Sequence, residues 1–240
     1  MEDDKRPTPT SKTTGDQLHS MAKAGLSSIP VVGGAASELF ASLVTPPLEK
    51  RRNAWIEEVG ERLRQLEDNG LELATLRDND EFIDIVMSAS TAALKTANEE
   101  KRAALRNAVI NTASGQTPEE SLAQVFISLV DSFTEWHLKI LSLFQDPCQW
   151  AVTHGHDFGL PATSSLAGTL VGAYPELKNR QAFYDQVWRD LHQRGLVNTD
   201  NLCGMMTASG AMAKRTSDLG DRFLAFIEPQ YSETSCLTSA

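Results

Sequence analysis

Cys148, His154 and His156, with His137 eleven residues before the cysteine, are the densest set of side chains here that could do chemistry. Thiolate and imidazole are good zinc ligands, and four of them would complete a tetrahedral site. The Cys-x5-His-x-His spacing matches no common structural-zinc pattern. His137 follows Trp136 inside an apolar helical stretch, where a hydrogen-bonded core histidine is the expectation. No metal site is expected.

Nucleophilic catalysis needs a Ser or Cys beside a general base in a recognisable turn. The chain has no Gly-x-Ser-x-Gly, no phosphate loop and no dinucleotide fingerprint. VVGGAA is glycine-rich but lacks the preceding strand and the spaced third glycine. The carboxylate pairs Glu57-Glu58 and Glu119-Glu120 fall at helix surfaces or starts and read as solvated faces and caps. No catalytic residue, cofactor or small-molecule substrate is indicated.

Cations are the remaining chemistry. Arg180, Arg189, Lys214 and Arg215 are the candidate nucleic-acid contacts, with Lys178 and Arg194 nearby and Asp185 and Asp190 among them. That footprint is thin, and the formal charge of −10 opposes nonspecific attraction to nucleic acid or anionic lipid. DNA contact is thus a weakly supported alternative.

The elements that must position these residues are helical. Residues 117–146 form the longest apolar stretch with a helical start. Thr117, Pro118 and Glu120 suggest a capping box, and Leu122, Phe126, Leu129, Phe133, Ile140 and Phe144 make one stripe. Apolar surface on more than one side predicts that this helix is the buried centre of a bundle. Thr45-Pro46-Pro47 should start a helix to about Asp68, with Leu48, Trp55, Ile56, Val59, Leu63 and Leu66 facing inward. Asp78 or Asp80 should cap a long helix to about Ala113, lined by Phe82, Val86 and a series of alanines.

Ile29–Val44 is nearly all apolar or small, with Glu38 near its middle. A membrane-spanning helix needs about 20 apolar residues, and a central charge costs roughly 2.5–3.5 kcal/mol on insertion scales. The segment is expected to dock on the bundle. Val31, Val32, Gly33, Gly34, Leu39 and Phe40 are its candidate contacts to a partner or, conditionally, to a membrane. Residues 1–24 read as a disordered tail and 229–240 as a flexible one. Three cysteines without framework spacing, and a polar beginning without a signal-peptide core, imply a cytoplasmic protein with reduced thiols.

Beyond HDFGLPA the pattern changes to short elements. Amphipathic helices precede Gly195, NLCGMMTASGAMAKRT reads as two strands around a Ser-Gly turn, and SDLGDRFLAFIE as a last helix. This order, with RGLV and RTSDLGDRFLAFI, resembles a winged-helix domain over residues 162–228. IPVVGGAASELFASLVTPPLEKRRNAWIEEVGERLRQLE with DSFTEWHLKILSLF resembles a group of bacterial helical proteins without assigned activity, which implies a fold and a bacterial or phage-like origin. The expected fold is all-α or nearly so: an antiparallel helical bundle over 25–157, then a small winged-helix-like domain over 158–228. The expected function is a non-enzymatic intracellular interaction or regulatory protein, with a protein partner or self-association. A membrane-acting effector and a DNA-contacting regulator are the alternatives.

Overall fold

The chain begins its visible course with a helix of 34 residues, α1, Ala35–Asp68. The computed structural model describes residues 35–229, with the side chains of 35–41 excepted. Val31, Val32, Gly33 and Gly34, and the tails expected at 1–24 and 229–240 except Pro229, lie outside the described residues. Leu39 and Phe40 fall within the backbone of α1, their side chains outside that description. Among the described residues there are eleven α-helices and two strands of two residues each, so the protein is nearly all-α.

The break expected at Thr45-Pro46-Pro47 is absent: α1 runs through both prolines. A proline inside a helix forfeits a backbone hydrogen bond and costs about 3 kcal/mol. Here the prolines sit where no residue from 42 to 54 is buried, so water reaches the interrupted backbone. Packing begins at Trp55, whose Nε1–H donates to Ser90 Oγ at 2.9 Å, and continues through Val59 and Leu66.

After α2 (Leu73–Leu76), the helix expected over 80–113 is two, α3 (Asp80–Lys95) and α4 (Glu99–Ala113). Asn79 and Asn98 each accept a hydrogen bond from a backbone N–H three residues on, at 3.0 and 2.9 Å. Thr96 is extended, so the chain folds back at Asn98 into a helical hairpin. Buried Ala89, Ala92, Ala93, Ala104 and Ala108 let the pair approach closely. The helix expected over 117–146 is also two, α5 (Glu120–Ser132) and α6 (Glu135–Gln145). Phe133 is extended, and Thr134 caps α6. Glu119, not Thr117, is the cap residue of α5. The apolar stripe is real in both pieces, because Phe126, Ile140, Leu141 and Phe144 are fully buried.

Next come α7 (Pro147–His154), β1 (Thr163–Ser164), α8 (Leu166–Ala173), a 3-10 turn at Pro175–Leu177 and α9 (Gln181–Gln193). They are followed by β2 (Met206–Thr207), α10 (Ala208–Ala211) and α11 (Asp218–Ile227). Asp146 caps α7, and Gly155 ends it in the left-handed conformation at φ 59°.

The hairpin expected around Ser209-Gly210 does not form. Met206-Thr207 pairs antiparallel with Thr163-Ser164, far back in the chain. Thr207 Oγ1 accepts from the Gly210 N–H at 3.1 Å, which winds Ser209 and Gly210 into α10. An isolated antiparallel bridge joins Val197 to Thr216 at the base of the excursion.

The hydrophobic core is continuous across residue 157. Phe126 of α5 meets Phe223 and Phe226 of α11 at ring-centre distances of 5.3 and 5.8 Å. Phe144 of α6 meets Trp188 of α9 at 5.0 Å, and its carbonyl accepts from the Arg215 N–H at 2.8 Å. Buried Asn111 of α4 donates to the carbonyls of Phe226 and Glu228, both at 2.9 Å, and so satisfies the end of α11.

Candidate interaction site around α7

Helix α7 has two contrasting faces. On one, Trp150 stacks on His154 one turn later, ring centres 4.0 Å apart. His154 Nδ1 lies 2.8 Å from the Trp150 carbonyl oxygen, which fixes that stack. Trp150 also touches Tyr174, Phe158 and His156, at 5.6, 5.9 and 5.9 Å. Tyr174 continues to Trp136 at 5.5 Å, and Trp136 to Phe183 at 6.3 Å. The result is a connected belt of half-buried rings along α6, α7, α8 and α9. Cations sit on its far end: Lys139 Nζ is 5.1 Å from the Trp136 ring, and the Arg180 guanidinium 4.3 Å from Phe183.

Burial pushes the Tyr174 hydroxyl up to about 12, against the opposing hydrogen bond with Trp150. The phenol therefore stays neutral through the physiological range. Gly172 is what admits Phe158, since a Cβ there would stand 3.1 Å from the Phe158 ring.

The other face of α7 borders a cleft of about 570 Å³. Cys148 and Ala151 form one wall, residues 156–160 a second, and Ala208, Ser209 and Met212 the third. Phe158, Leu160, Ala151 and Met212 make it mainly apolar. Val152, one turn from Cys148 on the same side of α7, is 75% exposed. His156 and Phe158 belong to both the cleft and the belt.

Of the histidines and cysteine with which the sequence could build a metal site, Cys148 and His156 line the same cleft, while His154 and His137 are engaged elsewhere. His154 is engaged by Trp150. His137 is buried and stacked on Phe133 at 4.5 Å. Its Nδ1 accepts the Thr134 N–H at 3.1 Å, and its Nε2 lies 3.5 Å from Asp190 of α9. Among the described residues no group of three or more His, Cys, Asp or Glu could hold a metal ion.

Burial holds the His137 pKa below its usual range, with the Asp190 carboxylate opposing and Lys101 assisting. A depressed pKa means that neutral His137 contributes stability fully above about pH 6.5 and loses it as the pH falls. Acidification from about pH 7.5 to about pH 5.5 should therefore lower the urea midpoint of the native protein. In His137→Gln part of that slope should be missing; an unchanged slope would exclude the histidine as its source.

The four cations expected to meet nucleic acid are not brought together as a free basic surface. Lys214 pairs with Asp221, and Arg215 donates to the Gly210 carbonyl at 2.7 Å. Arg189 donates to Gln186 at 2.8 Å, and Arg180 lies over Phe183.

Trp150, Val152, Phe158 and Tyr174 were not singled out by sequence. Their signal was present: each lies outside the apolar stripes of the long helices, where a large ring needs another reason. Comparison of the chain with family models, with curated proteins and with solved structures finds no match.

Proposed function

We propose that this is a non-enzymatic interaction protein that binds a protein partner through the cleft and aromatic belt at α7. The observation that carries this reading is Val152, 75% exposed one turn from Cys148 and beside an apolar cleft lined by Phe158, Leu160 and Met212. Tryptophan, tyrosine and arginine supply most of the energy at protein interfaces, where large rigid groups bury area at little entropic cost. Trp150, Trp136, Tyr174 and Arg180 are such groups, already held in place by one another.

Residues 162–228 fit a reading as a winged-helix-like unit turned to protein contact. Its support is the order α8, α9, the Val197–Thr216 bridge and α11. Internal partners for Arg180, Arg189, Lys214 and Arg215 favour protein over DNA. Free Cys148 and Cys203 suit the cytoplasmic placement. No described helix is long and apolar enough to cross a membrane.

Affinity capture from the native cell extract tests the proposal. Wild type and Met87→Glu, a surface change on α3 at 37% exposure, should retain the same partner. Val152→Glu should lose it, with an unchanged helical circular dichroism spectrum. Equal capture by Val152→Glu and wild type would sink the idea.

A further inference from the structure

The outward face of α1 carries a second contact surface. Leu43, Pro47, Lys50, Asn53, Glu57, Glu61 and Arg64 follow one another at steps of three and four, and all are exposed. Leu43 is a large apolar side chain at 66% exposure. Lys50 and Glu57 stand two turns apart on this stripe with opposite charge. Neither has an ion-pair partner among the described residues, whereas Glu61 and Arg64 pair with each other at 3.2 Å. Halfway between the unpaired charges lie Asn53 and the small Ala54. At Gly60 an added Cβ would meet nothing within 4 Å.

We propose that α1 pairs antiparallel with α1 of a second copy of this chain, about a two-fold axis between Asn53 and Ala54. That axis matches each residue with the one whose number completes a fixed sum. Lys50 then meets the second copy's Glu57 and Glu57 meets its Lys50, so one symmetric contact satisfies both lone charges twice. In the same register Leu43 stands against the aliphatic stem of Arg64. A parallel arrangement would set Lys50 against Lys50 and Glu57 against Glu57. Charge therefore selects the antiparallel pair and this register. The inward face of α1, with Trp55, Val59 and Leu66, stays committed to the chain's own core, so the dimer requires no refolding. This surface is independent of the cleft at α7.

Light scattering coupled to size exclusion, run over a concentration series, reads the dimer directly. Wild type should be dimeric at high concentration. Lys50→Glu and Glu57→Lys should each weaken dimerisation by about tenfold or more, because each replaces two attractions with two repulsions. The double variant should return to within about threefold of wild type, because the swapped charges pair again. All of these positions are exposed, so folding is preserved, and circular dichroism checks it. A monomeric wild type throughout the series overturns the proposal. So do single variants that dimerise as wild type, or a double variant no better than either single.

Discussion

Phe126→Ala should lower the free energy of unfolding by about 3–5 kcal/mol, the usual range for truncating a buried phenylalanine. The ring has no exposed surface and lies on α5, where the two stretches of chain flanking residue 157 meet. It contacts Phe223 edge-on at 5.3 Å and Phe226 at 5.8 Å. Removing it takes away buried area and leaves a cavity between α5 and α11. Because α11 shares the ring, the damage should spread: hydrogen exchange should accelerate in residues 218–227 as well as 120–132. Urea denaturation measures the first effect. A loss under about 1 kcal/mol would mean that the bundle is not assembled around α5. The same contacts predict that cutting at 155–161 leaves the two pieces associated, since separation would expose Phe126, Phe144 and Trp188 together.

Gly220→Ala should destabilise the protein by about 2 kcal/mol or more, against its helix propensity. Within a helix, alanine ordinarily gains about 0.8–1.0 kcal/mol over glycine. Here the added Cβ would lie 2.2 Å from the Leu196 carbonyl oxygen, a contact no side-chain rotation relieves. That oxygen accepts the Ser217 N–H at 2.9 Å, and the Gly220 N–H donates to Ser217 Oγ at 3.0 Å. Relief must therefore move the first turn of α11 away from Leu196 and loosen the neighbouring Val197–Thr216 bridge. Overpacking of this kind costs about 1–3 kcal/mol, sometimes more. Gly60→Ala, where a Cβ meets nothing, is the control and should be neutral or stabilising in dilute solution. Equal effects at the two glycines would show that the Leu196 contact is not a constraint.

By itself the sequence determined which residues are buried far better than where helices stop. Periodicity is a local property: Phe126 and Leu129, and Ile140 and Phe144, were marked as apolar positions one turn apart, and all four are buried. Gly155 ended α7 because a left-handed residue without a side chain was available at the right place. The breaks at Asn98 and Thr134 were not legible, because the apolar stripe continues through both. Asn98 competes for a backbone N–H only once α4 can fold back on α3. At Thr134 the break is held by the His137 ring, which accepts the Thr134 N–H while buried beside Asp190 of a distant helix.

Pro46-Pro47 misled in the opposite sense, since a proline weakens a helix without obliging it to end in contact with water. Met206-Thr207 had β character, but its partner was set by the return of residues 163–164, more than forty positions earlier. The cleft at α7 belongs wholly to tertiary structure. Its walls come from segments apart in the chain, and Phe158, which meets Trp150, packs close against Gly172 of α8. Gly220 joins both levels: its place in RTSDLGDRFLAFI was visible as a pattern, but only the Leu196 carbonyl at 2.2 Å from the missing Cβ explains why it must be glycine.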